Sequence, residues 1–239
     1  NFGQKYGLKN KKINQKEIFK KLNYSHQIGI RTIDTANSYG NSEKILGKTK
    51  LKKWKVISKI SNLPKNKKKI HKYINNSIRK SLKKLKVKKI YGLLIHNSDD
   101  LIGKNGNEIY ENLIKLKQAG LISKIGVSIY NFNHINILIK RYKLDIIQLP
   151  FNIIDKRLIK KRLIQKLQKR KIEIHTRSIF LKGLLLKEKL PKKFKKWNYI
   201  WTKIKKFNEL NSINNLSMCL QFIKNYSKID NFVIGIDDI

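Results

Sequence analysis

Polar side chains close a series of otherwise apolar runs in this chain, and their types could do proton-transfer and binding chemistry. Asp34 ends Arg31-Thr32-Ile33-Asp34, Lys59 ends Val56-Ile57-Ser58-Lys59, and His96 ends the run from Tyr91. Ser128 ends Ile125-Gly126-Val127-Ser128, Gln148 follows Ile146-Ile147, and Arg177 follows the run from Ile172 to Thr176. Singly, each has an ordinary reading, because a lysine at a strand end is usually solvated and a lone histidine usually fills a hydrogen-bond niche. A carboxylate, an ammonium and an imidazole become a reaction centre only where a fold brings those run ends together.

The elements that must position them follow from periodicity. Short apolar runs begin near residues 31, 55, 90, 123, 145, 172 and 231, and longer segments of helical period separate them. Ile70, Ile74, Ile78, Leu82 and Leu85 form one such stripe, and Ile109, Leu113 and Leu116 form another. Asn14 with Glu17, Asn107 and Asp155 are the expected N-caps, the last opening a helix from Lys156 to Lys169. Strands rich in Ile and Val without polar alternation, each followed by a helix, predict a parallel sheet covered on both faces. No Gly-x-Gly-x-x-Gly follows a strand and no phosphate-loop motif is present, so neither open-sheet nucleotide fingerprint supports the alternative to a barrel. The expected fold is an α/β (β/α)8 TIM barrel, a single domain over residues 1–239, with the first strand cut short at Asn1-Phe2-Gly3. In such a barrel the C-terminal strand ends converge on one face, which is where the polar run ends lie.

Composition bears on partners. The chain of 239 residues carries 56 Lys+Arg against 15 Asp+Glu, a formal net charge of +41. Arginine occurs at only seven positions, so the excess is a lysine excess. The lysine runs at Lys67-Lys68-Lys69, Lys83-Lys84 and Lys192-Lys193 would give salt-dependent contacts to nucleic-acid phosphates. They fall on the polar faces of several helices, however, and little arginine is available for base readout. Drift towards Lys, Asn and Ile, the residues of AT-rich codons, accounts for the charge without a nucleic-acid partner. Cys219 is the single cysteine, which excludes an internal disulfide or a multi-cysteine metal site and fits a reducing, cytoplasmic setting. No apolar run reaches the ~18 residues of a membrane span.

The stretch from Gly29 through Asp34, Thr35, Ala36, Asn37, Ser38, Tyr39, Gly40, Asn41, Ser42 and Glu43, closing with Leu46-Gly47, closely resembles the aldo-keto reductase signature. Ser58-Lys59, Leu93-Leu94-Ile95-His96 and the motif from Gly120 to Ser128 follow in the family's order, so the resemblance spans nearly the whole chain. It implies a barrel enzyme that reduces an aldehyde or ketone with a nicotinamide cofactor and needs no metal. It also implies a last helix lying beyond Ile239. The implied tetrad is Asp34, Tyr39, Lys59 and His96. Hydride addition builds charge on the carbonyl oxygen, which a positioned acid must quench. Tyr39 is the implied acid, Lys59 the cation that favours its phenolate, Asp34 the group that holds Lys59, and His96 the donor that orients the carbonyl.

The same resemblance implies cofactor contacts at Ser128 and Gln148 for the nicotinamide carboxamide, while Ile129 stands where many members have Asn. Arg177 stands where many members place an aromatic ring against the nicotinamide, and its planar guanidinium can stack in that way. Gly235 follows the last strand, where the family binds the cofactor phosphates. NADPH is the expected cofactor, with NADH possible, and the partner is a small carbonyl substrate. The segment from Lys182 to Lys203 is an expected specificity loop, in which Trp197 and Trp201 either line a pocket or pack as an i, i+4 pair. The run from Arg177 to Gly183 is closest to members found with surface-polysaccharide sugar pathways. Two other readings are a basic nucleic-acid-binding protein and a cofactor-binding barrel with a regulatory role. The complete tetrad favours the enzyme.

Overall fold

A computed structural model describes residues 15–235. Seven strands run in chain order across one parallel sheet: β1 (Thr32–Asp34), β2 (Lys55–Ile60), β3 (Ile90–Ile95), β4 (Ile122–Ser128), β5 (Ile146–Pro150), β6 (Glu173–Arg177) and β7 (Asn231–Phe232). Each begins within one residue of the position expected from the sequence. The helices are α1 (Gln15–Gln27), α2 (Ser42–Leu46), α3 (Lys67–Leu85), α4 (Ser98–Ile102), α5 (Gly106–Gln118), α6 (Asn133–Arg141), α7 (Arg157–Lys160), α8 (Leu163–Lys169), α9 (Asn198–Leu210) and α10 (Asn215–Lys224). This is the (β/α)8 barrel architecture, with its seven described strands curling around a filled interior. The strand expected at Asn1-Phe2-Gly3 and the cap expected at Asn14 lie outside the described residues.

Parallel strands between helices must be apolar on both faces, and the burial obeys that rule. The outward residues meet the helices: Ile70, Ile74, Ile78 and Leu85 of α3 are buried against them, with Asn66 capping the helix through its side chain to the Lys68 amide at 3.0 Å. Inside the barrel, Ile57, Leu94 and Ile146 form an apolar belt with Tyr91 against it. The belt fits because two neighbours have no side chain. A Cβ on Gly92 would stand 2.7 Å from the ends of Ile57 and Ile146, and one on Gly126 2.6 Å from the Ile146 carbonyl.

Alternate residues of one strand share a face, so Glu173, His175 and Arg177 of β6 descend the interior in steps. Glu173 is the anion of a polar cluster at the N-terminal end. It accepts from Tyr91 at 2.7 Å, pairs with Lys124, and lies 3.2 Å from Nε2 of the fully buried His175. Burial raises the Glu173 pKa, but hydrogen bonds from His175, Lys124 and Tyr91 overcome it and hold the carboxyl at about 2. A depressed carboxyl contributes stability that is complete above the ordinary value of 4.5 and is lost as pH falls towards about 2. Glu173→Gln is therefore expected to flatten acid unfolding between those two values, followed by circular dichroism. An unchanged acid transition would remove Glu173 from that role.

Helix boundaries depart from the sequence reading in three places. Helix α5 starts at Gly106, with Asn105 at the cap position, so Asn107 is not a cap; its Oδ1 accepts from Arg141 and from Tyr142 at 3.2 and 3.0 Å. The helix expected over 156–169 is divided into α7 and α8 by Arg162, whose φ of 50° cannot continue a right-handed helix. Asp155 is not the cap of α7, since Lys156 takes the cap position without a side-chain cap; Asp155 instead forms a forked ion pair with Arg157 at 2.7–2.8 Å.

Trp201 belongs to a second apolar cluster with Leu184, Leu185, Ile204, Met218 and Cys219, and its indole N–H donates to the Lys187 carbonyl at 3.0 Å. Trp197 packs on that cluster and stacks on Phe194, so both tryptophans act in packing. Burial pushes the Cys219 thiol up to about 11, which keeps it protonated. The lysine runs at 67–69 and 83–84 stand at the two ends of α3, the run at 192–193 lies in a turn far along the chain, and all are exposed, where they act on solubility more than on fold. No described helix is long and apolar enough to cross a membrane.

Candidate active site

The strand ends do converge. Asp34 closes β1, Lys59 lies near the end of β2, and His96 follows β3, while Ser128 and Arg177 close β4 and β6 and Gln148 lies midway along β5. Strand pairing sets Ser128 beside Gln148, whereas Lys59 pairs with Leu94 of the apolar belt and is joined to Gln148 through the Asp34 carboxylate that both side chains contact.

Lys59 is the centre of that group. It is 1% exposed, and its Nζ donates to Asp34 Oδ2 at 2.6 Å and to the Thr35 carbonyl at 3.0 Å. Burying an ammonium is unfavourable unless it is paired and hydrogen-bonded, and here both conditions are met. Burial lowers the Lys59 pKa from the ordinary lysine value, and Arg177 adds to that effect, while Asp34 opposes it. The second oxygen of Asp34 accepts from Gln148 Nε2 at 2.7 Å, so the carboxylate is held from two sides.

Tyr39 reaches this group from the loop between β1 and α2. Its amide donates to the Ala36 carbonyl, its carbonyl accepts from the Ser42 amide, and Gly40 takes a φ of 53°, a tight turn that aims the ring inward. Lys59 Nζ lies 5.3 Å from the centre of the Tyr39 ring, and the His96 ring meets Tyr39 edge-on at 5.9 Å between centroids. The loop is anchored by Glu43, a residue of the signature to which the sequence reading gave no role. Its carboxylate is 2% exposed and accepts from Ser58 at 2.7 Å and Ser81 at 3.1 Å, tying α2 to β2 and α3. Gly47 closes the same corner, since a Cβ there would stand 1.9 Å from the Lys84 carbonyl of α3. Gly47→Ala is expected to destabilise the fold by about 2–3 kcal/mol through overpacking, read from the urea midpoint. A midpoint within error of the unsubstituted protein would show that the corner can yield.

His96 is kept neutral: burial first, then the charges of Lys59 and Arg177, push its pKa below 6.5, with Asp34 acting in the opposite sense. Its Nδ1 lies 2.6 Å from Ser61 Oγ, a contact that no sequence motif announces. Arg177 is half-buried rather than an exposed salt-bridging residue. Its guanidinium carbon lies 4.0 Å from the centre of the Tyr130 ring, and Nη2 donates to the Ile129 carbonyl at 3.2 Å. The Ile129 side chain is fully buried in the outer core and offers no polar atom.

A nicotinamide carboxamide needs one donor for its oxygen and acceptors for its amide hydrogens. Ser128 Oγ and Gln148 Oε1 are both buried without a hydrogen-bond partner, and they sit on neighbouring strands in direct register. Unpaired buried polar atoms are costly, so an adjacent hydroxyl and amide oxygen left open together fit such a group. Arg177 Nε and His175 Nδ1, both on β6, are also buried without a partner. Gly235 is exposed beyond β7, and a Cβ added there would meet nothing within 4 Å among the described residues.

Similarity to known proteins agrees with this geometry. The chain matches the aldo/keto reductase family over residues 2–236. Among solved structures, the aldo/keto reductase from Klebsiella pneumoniae in complex with NADP and acetate superposes with a TM-score of 0.70 at 17% identity, covering 92% of this chain and 75% of that one. The glycerol dehydrogenase from Gluconobacter oxydans gives 0.69 at 22% identity, over 91% and 75% of the two chains. An aldo-keto reductase from Bacillus halodurans in its holo form gives 0.63 at 24% identity, over 75% and 62%. No curated protein matches the chain. With the family matched over residues 2–236 and the strand-end residues gathered together, the chain belongs to the aldo/keto reductase family of oxidoreductases.

Proposed function

We propose that this protein reduces an aldehyde or ketone to the alcohol with NADPH, NADH being the alternative cofactor, in a cytoplasmic setting. The observation that carries the reading is the buried Lys59–Asp34 ion pair beside the Tyr39 ring, with the neutral His96 edge-on to that ring. When bound, the nicotinamide supplies the hydride. Tyr39 gives its phenolic proton to the carbonyl oxygen as negative charge builds there, and the Lys59 ammonium stabilises the phenolate left behind. Asp34 fixes Lys59 and offsets the unfavourable burial of its charge. His96 donates a hydrogen bond to the carbonyl and orients it, which a cationic imidazole beside Lys59 and Arg177 would do only against their repulsion.

Ser128 and Gln148 would hold the carboxamide, Arg177 would lie against the ring on the support of Tyr130, and the backbone near Gly235 would face the phosphates. The substrate is a small carbonyl compound. The test is NADPH oxidation followed over a broad panel of aldehydes and ketones, together with NADPH binding followed by quenching of tryptophan fluorescence. Ser128→Ala is expected to weaken binding about 5-fold, the worth of one hydrogen bond of ~1 kcal/mol. Absence of turnover over the whole panel, with NADPH failing to bind, would defeat the proposal.

A further inference from the structure

Ser61 lies two residues beyond Lys59, where β2 ends, and the chain turns away at once through Asn62 with a φ of 56°. The Tyr73 hydroxyl of α3 donates to the Ser61 carbonyl at 2.8 Å, which pins its backbone. The Ser61 hydroxyl is therefore presented from a fixed point, 2.6 Å from His96 Nδ1 and 3.1 Å from Ser38 Oγ. Ser38 adjoins Tyr39 in the chain. The contact thus links the loop of the phenol, the strand of the lysine and the strand of the imidazole.

A neutral imidazole carries one proton on two nitrogens, and the partner of one nitrogen decides which of them holds it. A serine hydroxyl also has one proton, so Ser61 can give it to His96 Nδ1 or to Ser38, but not to both. If it goes to His96, the imidazole hydrogen sits on Nε2 and can be donated to a carbonyl. If it goes to Ser38, Nδ1 must donate to Ser61 and Nε2 becomes a bare acceptor, which repels a carbonyl oxygen. We propose that Ser61 is a positioning residue that donates to His96 Nδ1 and fixes the Nε2–H form, with Ser38 donating to Ser61 in turn. This rests on the reading of His96 as the carbonyl donor, and it adds to the tetrad a residue that sets the tautomer of one of its members.

The tautomer can be read in the whole protein without substrate or cofactor, from long-range proton–nitrogen correlations of 15N-labelled histidines, with His96 assigned by its loss in His96→Gln. The expected pattern is Nε2–H in the unsubstituted protein and a mixed or Nδ1–H pattern in Ser61→Ala, restored by Ser61→Thr. Ser38→Ala is expected to leave Nε2–H in place, because Ser61 then has His96 as its remaining acceptor of the pair. Under the opposite polarity the same substitution would free the Ser61 proton and flip the ring. In turnover, Ser61→Ala is expected to lower kcat/KM on the order of 10-fold with NADPH affinity unchanged, as when an outer partner that orients a histidine is removed. An Nδ1–H pattern in the unsubstituted protein, or a His96 signal unmoved by Ser61→Ala, would overturn the proposal. Failure of every carbonyl substrate would instead defeat the functional reading, since the tautomer measurement stands apart from turnover.

Discussion

Replacing Tyr39 by Phe is expected to lower carbonyl reduction by about 10²- to 10⁴-fold, the range typical of losing a positioned general acid. The phenylalanine ring retains the edge-on contact with His96 and the face presented to Lys59, so packing changes little. What disappears is the proton that meets the charge developing on oxygen. NADPH binding, followed by fluorescence quenching, should change by less than about 2-fold, because the carboxamide contacts assigned to Ser128 and Gln148 are untouched. The loss should therefore fall on kcat more than on KM. Wild-type turnover in Tyr39→Phe would exclude the phenol as the acid and return the role to another group near His96.

Lys59→Met should affect both stability and chemistry. The methionine approximates the lysine stem in volume but leaves the Asp34 carboxylate, itself 12% exposed, without its cation. Removing one partner of a buried pair costs about 3–5 kcal/mol. The lower end is expected, near ~3 kcal/mol, because Gln148 still donates to Asp34. The double substitution Lys59→Met with Asp34→Asn should recover part of that loss, since it removes the stranded charge as well. The sign of the pH dependence follows from burial. Lys59 titrates below the ordinary 10.5 in the folded protein, so between its folded value and 10.5 the unfolded chain binds more protons. Stability therefore rises with pH across that window, and Lys59→Met should abolish the rise. In turnover, loss of the cation should weaken Tyr39 as an acid and move the basic limb of the kcat profile to higher pH. Urea unfolding at several pH values checks the first claim and the pH–rate profile the second; unchanged stability would mean the pair is not the electrostatic anchor its burial implies.

Much of this was legible before any coordinates. A strand covered on both faces is a mostly apolar run, so the seven strands could be placed from short runs along the sequence, although β6 carries Glu173, His175 and Arg177 among its five residues, and the polar residue closing a run could be read as a strand-end group. The α3 stripe was legible for the same reason, since a helix buries one side at a period near 3.6. Where backbone geometry departs from period, the reading faltered. Arg162 carries no visible mark of its left-handed conformation, and its neighbours are good helix formers, so the break between α7 and α8 could not be seen. Trp197 and Trp201 read equally as pocket or packing residues until their partners from α10 were in place.

The sequence by itself determined the barrel strands, the order of the strand-end residues and the lysine excess, because each is a property of composition and local period. Only the tertiary structure decided which of those residues touch. The Gln148–Asp34 bond joins positions 114 apart in the chain, the Arg177–Ile129 bond positions 48 apart, and the Ser61–His96 contact positions 35 apart. Such contacts depend on the register of neighbouring strands and on the curl that brings their ends together. A pattern along the chain specifies which face a residue takes, but the distance between two faces is fixed only when the sheet has curled.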